Sequence, residues 1–575
     1  MVPTRSPRHV SSSKLRRDFA RGWSNQRRLV ARTAEASVES ALDALLSVQN
    51  CEFVQYYSAW HGSLASAEPK KPKVQRQRDI FPLPPLGELP LDAHICHSTT
   101  CLKLTNLCLA ALNALASDMR PKITIGDSAP TAAQKSVQVH VAGRCNRLLL
   151  QFAAAGGSPW RGSFQHFEET PSSKHPRMQA DAVDLPAKAA TCDPLELLPA
   201  ELASAVVSTE KLFPNPVPTP CRPCGGQDAD RDEYIKLVLR QLECGKTVLR
   251  RDCQAVGDVF CVQKASPSKQ REVWNGSLVS QAAAPPPKPY KLANPGCFVD
   301  LCFQDGEEVF MSKRDIHTCF DVLKAPENLQ QWFGRPPVSL QELSRVGKVP
   351  WRTLQKYVAG SSGQGLSRFA LLYPTSTVWP MGFSWSSCVA QACTVACCVE
   401  AGVNNSDFLT LDSAPPYGQE ACGVATDDTF FFHKDRRLGQ ERLRRLDAVL
   451  DSRGLPKNSA KDVTLQTSMT ALGCELTSQP PAVEPSASKL RLLFTGLVDA
   501  CVTGRATPAG LGRLLGLAQW FCLLLTRPMY SIFDDVYSFV QREPACRVQA
   551  FPAKVISELV VTACLPRVPA KAHRL

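Results

Sequence analysis

Gly423-Val424-Ala425-Thr426-Asp427-Asp428-Thr429-Phe430-Phe431-Phe432 is the stretch on which the reading of this chain turns. Two short apolar runs flank a polar break, which is the pattern of a β-hairpin. Asp427 and Asp428 fall at the break, so two carboxylates are expected side by side at an exposed tip. Such neighbours repel each other unless a cation neutralises them. Oxygen donors in this arrangement suit Mg²⁺. An Asp-Asp pair also arises by chance, and a second one stands at Asp534-Asp535. The material around the first pair sets it apart.

Upstream, Val259–Lys264 reads as a strand, a polar turn follows, and Arg271-Glu272-Val273-Trp274-Asn275 returns. Lys264 and Arg271 flank that turn, where both can reach one polyphosphate, the ammonium as a point charge and the guanidinium as a fork. A basic surface hairpin has the same pattern. Next, an apolar strand from Val309 ends in Asp315, and the aromatic Phe320 comes five residues later. Trp379-Pro380-Met381-Gly382-Phe383 is a turn opening a helix of small residues, and Gly382 lets the backbone approach a ligand closely. Gly454-Leu455-Pro456 to Lys461 and Leu472-Gly473-Cys474-Glu475-Leu476 follow the hairpin. Tyr234–Leu242 has the spacing of an amphipathic helix (Ile235, Leu237, Val238, Leu242). Cys244-Gly245-Lys246-Thr247 is not a phosphate loop: Arg240 stands where the first Gly is needed, and the Lys follows a helix.

The chain has 575 residues, enough for several domains. Its net charge of +13 favours an anionic partner, by default nucleic acid. The 24 Cys are scattered and the N-terminus is basic without an apolar leader, so buried free thiols in an intracellular protein, of nucleus or cytoplasm, are expected. Cys221-Arg-Pro-Cys224 lacks a second pair, and His94, Cys96, His97 and Cys101 match no zinc spacing. The apolar stretches near 387–398 and 514–525 are too short to span a bilayer, so no membrane partner is expected.

Composition divides the chain further. Residues 1–90 read as a basic arm (nine Lys/Arg in 1–35), a helix near 36–65 and a Pro- and Lys-rich linker over 67–90. The arm suits nucleic-acid binding or nuclear targeting, and equally a solvated tail. Residues 91–229 form a mixed region with one helical patch, Leu102–Leu115, and no evident chemistry. From about 230 the character changes, and the stretches 230–485, 486–540 and 541–575 follow.

In this order and at these spacings the stretches resemble the fingers and palm of a reverse transcriptase, of the retroviral and DIRS-like retroelement type. The resemblance covers roughly 230–540 and implies fingers and palm at 230–485, a helical thumb or connection at 486–540 and the start of a truncated downstream region at 541–575. It implies an α+β right-hand polymerase: fingers, a palm of antiparallel sheet and a helical thumb, preceded here by a mostly helical, partly disordered N-terminal region. Lys264 and Arg271 then resemble the pair that holds the incoming triphosphate, and Asp315 the first catalytic carboxylate, with the Ile316 backbone beside it. Phe320 stands at the aromatic steric gate, Met381 and Gly382 in the turn against nucleotide and template. Asp427 and Asp428 look like the paired carboxylates, Lys461 like the palm lysine, and Leu472-Gly473 like the start of the primer grip. The implied reaction is RNA-directed addition of dNTPs to a primer on an RNA or DNA template, with two Mg²⁺ ions or Mn²⁺ in their place.

The chain departs from the family in several places. Ala425 replaces the aromatic usually found two residues before the Asp pair, Met381 replaces a frequent Gln, and Trp274-Asn275 replaces an Asp-rich stretch. No RNase H, integrase or protease signature is visible. A catalytically silent nucleic-acid-binding relative is therefore the second reading. An unrelated α+β protein with an ordinary Asp-Asp turn is the third.

Overall fold

The computed structural model describes residues 35–66, 80–91, 98–121, 130–154, 176–216, 231–298 except 265 and 267, 301, 307–360, 366–479, 481–525 and 532–564. Residues 1–34 of the basic arm, most of the linker, His94, Cys96, His97, Cys221 and Cys224 lie outside this set. The contacts divide the chain into two units, one from residues 1–170 with 484–573 and one from 171–483. The helices at the two ends of the sequence therefore belong to one unit. The division inferred from composition, with an N-terminal region apart from a 486–540 thumb, groups them differently.

The first unit is helical: 35–46, Glu52–Ser66, Thr99–Ala116 and Ala132–Ala154 with Ala487–Thr503, Pro508–Leu525, Asp534–Val540 and Ala553–Cys564. Leu42, Trp60, Leu104, Cys108, Leu497, Val498, Val560 and Val561 are among its buried residues. The 23-residue helix Ala132–Ala154 lies where the sequence reading found only a mixed region. Thr99–Ala116 is long and apolar enough to cross a membrane, but 67% of it is buried within the structure, as suits a core helix. The expected downstream region, 541–575, contains the helix Ala553–Cys564, which belongs to this unit.

The described end of the Pro-rich linker is anchored. Proline removes backbone donors, so the backbone groups around it need side-chain partners. Asn113 donates to the Leu83 carbonyl at 2.9 Å and accepts from its N–H at 2.6 Å. Asn106 makes the same reciprocal pair with Leu86, both at 2.9 Å. Gln134 donates to the Ile80 and Pro82 carbonyls, and Gln138 to that of Pro84. Asn113 is 2% exposed. Asn113→Ala strands the buried Leu83 groups and is expected to cost about 2–4 kcal/mol, read as a lowered urea midpoint of the full chain at unchanged slope.

The second unit is mixed. Its strands include β1 (Thr247–Arg250), β2 (Asp258–Gln263), β3 (Gln270–Asn275), β4 (Phe310–Asp315), β5 (Val338–Ser339), β6 (Leu371–Ser376), β7 (Glu420–Ala425), β8 (Asp428–His433), β9 (Val463–Gln466), β10 (Ser468–Ala471) and β11 (Cys474–Ser478). One antiparallel sheet has the order β7-β8-β4-β9, another β1-β6-β5, and β2-β3 is a separate hairpin. The helix Arg231–Cys244 buries Ile235, Val238 and Leu242 at helical spacing, as the sequence predicts.

The four-stranded sheet is covered on both faces by the alternation of β8. Phe431 joins the cluster of Val389 and Cys393 from the helix Ser386–Glu400 and Leu443 and Leu446 from Arg436–Ser452. Phe430 and Phe432 point the other way, with ring centroids 5.4 and 6.0 Å from Phe298. Gly423 lies over Phe430, and a Cβ there would meet the ring at 2.1 Å. The cysteines whose side chains are described are all free, and all of these but Cys244, Cys253 and Cys546 are buried.

Candidate active site

Asp315 ends β4 and lies directly opposite Asp428, the first residue of β8. Ala425 pairs with Asp428 on the other flank, so the hairpin turn is only Thr426-Asp427. The two carboxylates therefore do not share a tip: one is in the turn, the other on the strand, and both are half-buried rather than exposed. Thr426 takes φ +60, a costly conformation for a β-branched residue. The helix Ser386–Glu400 holds it there. Gln391 accepts from the Thr426 N–H at 2.7 Å, and Thr394 donates to the Thr426 carbonyl at 2.7 Å.

The loop after Arg436–Ser452 closes against the end of β4. The Ile316 N–H donates to the Asp427 carbonyl at 3.0 Å, and the Asn458 N–H to the Asp315 carbonyl at 2.8 Å. Asn458 also donates from Nδ2 to Asp315 Oδ1 at 3.0 Å, and Lys461 Nζ lies 2.9 Å from Asp315 Oδ2. Lys313, two residues before Asp315 on β4, lies 3.0 Å from Asp428.

Burial, joined by the charges of Asp428 and Asp315, pushes the Asp427 carboxyl above its usual range. Burial does the same to Asp428, where Lys313 opposes and Asp315 adds to it. Burial pulls the Lys461 ammonium down, but its pairing with Asp315 prevails and raises it. The three carboxylates thus form a site of excess negative charge that two lysines partly offset.

A cavity of about 640 Å³ opens beside them. Asp315, Ile316, Phe320, Met381, Asp427, Lys461, Lys264 and Arg271 are all on its wall. Arg271 is exposed and has no ion-pair partner among the described residues. Lys264 does have one: Asp184 lies 2.6 Å away and also holds Lys269 at 3.1 Å. Burial works against the Asp184 carboxylate, yet these two ammonium groups keep its pKa below the usual range. Sequence reasoning missed Asp184 because it lies in the stretch where no pattern was found.

Four expected site residues are off the cavity wall: Asp428, which stays opposite Asp315 and beside Lys313, and three that fall elsewhere. Gly382 is not on the cavity wall. Its close approach is to the protein itself: at φ +115 a Cβ would sit 1.9 Å from the Trp274 carbonyl oxygen. Trp274 donates its N–H to the Met381 carbonyl at 3.2 Å and its ring N–H to Gly334 at 2.9 Å, so the turn after β6 is seated on β3. Leu472 and Gly473, at φ +50 and +77, form the two-residue turn of the β10–β11 hairpin, also off the cavity wall. Residues the sequence reading did not select but the cavity contains include Lys246, His317, Asp321, Arg335 and Asn458.

No protein-family model and no curated protein matches the chain. Among solved structures, a foamy viral protease-reverse transcriptase with double-stranded DNA is similar over 64% of this chain and 58% of that one, at 14% identity and TM-score 0.39. The same enzyme with an RNA/DNA hybrid matches 61% of this chain and 39% of that one, at 16% identity and TM-score 0.41. A further complex with double-stranded DNA matches 73% and 67%, at 13% identity and TM-score 0.39.

Proposed function

We propose that the second unit is a template-directed nucleotidyltransferase, an RNA-directed DNA polymerase that extends a primer with dNTPs. The observation that carries this reading is the in-register pairing of Asp315 with Asp428, with Asp315 and Asp427 on a cavity that also presents Lys264, Arg271 and Phe320. The cavity's size suits a small ligand such as a nucleotide.

The donor chemistry suits divalent cations, though the carboxylates are not gathered into a ready metal cluster. The carboxylates are hard oxygen ligands, and the raised Asp427 and Asp428 carboxyls mark charge that a cation would relieve. As they stand, no three acidic, His or Cys side chains among the described residues enclose an ion. Lys461 and Lys313 are the cations next to Asp315 and Asp428. Asp315, Asp427 and Asp428 would hold Mg²⁺ or Mn²⁺ beside the Ile316 backbone. Such ions, when bound, acidify an attacking hydroxyl and neutralise phosphate charge.

The chain's own residues do the rest. Arg271 offers a planar fork to a triphosphate, and Lys264 a second positive charge once it leaves Asp184. Phe320 lies under the sugar and crowds a 2′-hydroxyl. Met381 packs against the base. Thr394 and Gln391 fix the turn that carries Asp427, so the carboxylate is positioned before substrate arrives. The protein's net positive charge binds the template–primer backbone with little sequence preference.

Asp184 competes with the triphosphate for Lys264. Asp184→Asn is expected to tighten dNTP binding roughly 3- to 10-fold, the worth of about 1 kcal/mol of partly exposed ion pair. Calorimetric titration with dNTP and Mg²⁺ on a bound template–primer reads this. The same titration tests the function: Mg²⁺-dependent dNTP binding lost in Arg271→Ala supports a polymerase. Ala425 favours the second reading, a fold that only binds nucleic acid. That reading predicts template–primer binding with no metal-dependent dNTP binding at all.

A further inference from the structure

On the wall of the cavity lies a largely buried ion network that the proposed chemistry does not use. Lys246 joins the end of the helix Arg231–Cys244 to β1 and is 6% exposed. Its ammonium lies 2.6 Å from Glu272 and 2.8 Å from Asp321. The two carboxylates are not equally dependent on it. Glu272 also accepts from Arg335 at 3.1 Å and from Gln241 at 2.6 Å. Asp321 has no other cation within ion-pair distance among the described residues.

Asp321 directly follows Phe320, and both are on the cavity wall with Lys246. Its backbone is fixed, the N–H donating to Thr318 at 2.8 Å and the carbonyl accepting from Ala190 at 3.1 Å. A carboxylate in such a place is a strong acceptor for a sugar hydroxyl, and a site that hydrogen-bonds a hydroxyl selects the substrate that has one. Paired with Lys246, that acceptor is neutralised and its lone pairs are engaged. Burial pulls Lys246 down, but Asp321 and Glu272 raise it, so it stays protonated at neutral pH.

We propose that Lys246 is a specificity-determining residue: by holding Asp321 it withholds a carboxylate beside Phe320 from the ribose 2′-hydroxyl, and so enforces the choice of deoxynucleotide. This rests on the polymerase reading above. Phe320 acts by bulk, whereas Lys246 acts by removing an attraction, and the two contributions are separable.

The test is single-nucleotide primer extension with dNTP and with rNTP, comparing wild type, Lys246→Met, Asp321→Asn and the double variant, each checked for folding by thermal melting. Lys246→Gln, which retains a hydrogen bond to Glu272, is the second neutral variant. Asp321→Asn alone is expected to leave the dNTP:rNTP ratio within about 3-fold. Either Lys246 variant raises relative rNTP use by roughly 10-fold or more. The double variant returns to within about 3-fold of wild type, which a merely structural role for Lys246 would not produce. An unchanged ratio in the Lys246 variants overturns the proposal. So does a raised ratio that persists in the double variant, since Asp321 would then not be the acceptor. Extension with unchanged selectivity sinks only the role of Lys246, whereas no extension by wild type sinks the polymerase reading with it.

Discussion

Asp427→Asn lowers primer extension by at least about 10³-fold and at the same time makes the protein more stable in the absence of divalent metal. The activity loss follows from removing a charged ligand whose geometry Thr394 and Gln391 fix. The stability gain follows from the raised carboxyl. Its folded pKa lies above the unfolded value of 3.8, because burial and the Asp428 and Asp315 charges disfavour ionisation. Such a group contributes nothing unfavourable below pH 3.8 and loses stability for the fold as pH rises through its raised value. The amide carries no charge to penalise. The variant and parent should therefore melt together at acid pH and diverge toward neutrality, by on the order of 2 °C. Adding Mg²⁺ should stabilise the parent above that window and leave the variant unmoved. Equal melting of the two proteins at pH 7 without metal would contradict the electrostatic account. Retained extension would contradict the catalytic one.

Gly382→Ala is the second large effect, and it is a packing effect. The new Cβ would lie 1.9 Å from the Trp274 carbonyl oxygen, which already accepts the Gly276 N–H at 3.0 Å. The conformation at φ +115 is itself unfavourable for alanine. Relief requires lifting the turn off β3. The aromatic cluster beneath resists, since Phe333 stands 5.7 Å from Trp274 and 5.2 Å from Phe383, ring to ring. The expected cost is about 3–5 kcal/mol, or a melting temperature lower by roughly 10 °C. Met381 moves with the turn, so dNTP binding weakens as well. A melting temperature within 2 °C of the parent, about the shift of a 1 kcal/mol change, would show that the turn yields freely and that the close approach is not needed.

Much of the second unit was legible because its signals are local. The strand from Val309 to Asp315, the return at Arg271–Asn275 and the hairpin before Phe430 each announce themselves within ten residues. The need for glycine at 382 was also readable, but not its cause: sequence suggests approach to a ligand, whereas the contact is with Trp274. At Ala425-Thr426-Asp427-Asp428 the turn lies one residue earlier than the apolar pattern suggests. A strained Thr426 starts the turn, and only a helix more than thirty residues earlier explains how that strain is held.

The illegible parts depend on distant partners. Lys264 is committed to Asp184, eighty residues away. Residues 80–91 look like a linker because proline is abundant, yet amides from Asn106, Asn113, Gln134 and Gln138 take up their backbone groups. Ala132–Ala154 mixes polar and apolar residues with little helical periodicity, so nothing local marks it. The pairing of helices from the two ends of the chain has no local signature at all.

The most direct measurement is extension of a DNA primer on an RNA template, with dNTPs and Mg²⁺ or Mn²⁺, by the purified full chain beside Asp315→Asn. The account predicts extension by the wild type that disappears in the variant while template–primer binding persists. A folded wild-type protein that binds the template–primer but adds no nucleotide with either metal would contradict it. The carboxylates opposite one another on β4 and β8 would then belong to a binding module rather than an enzyme.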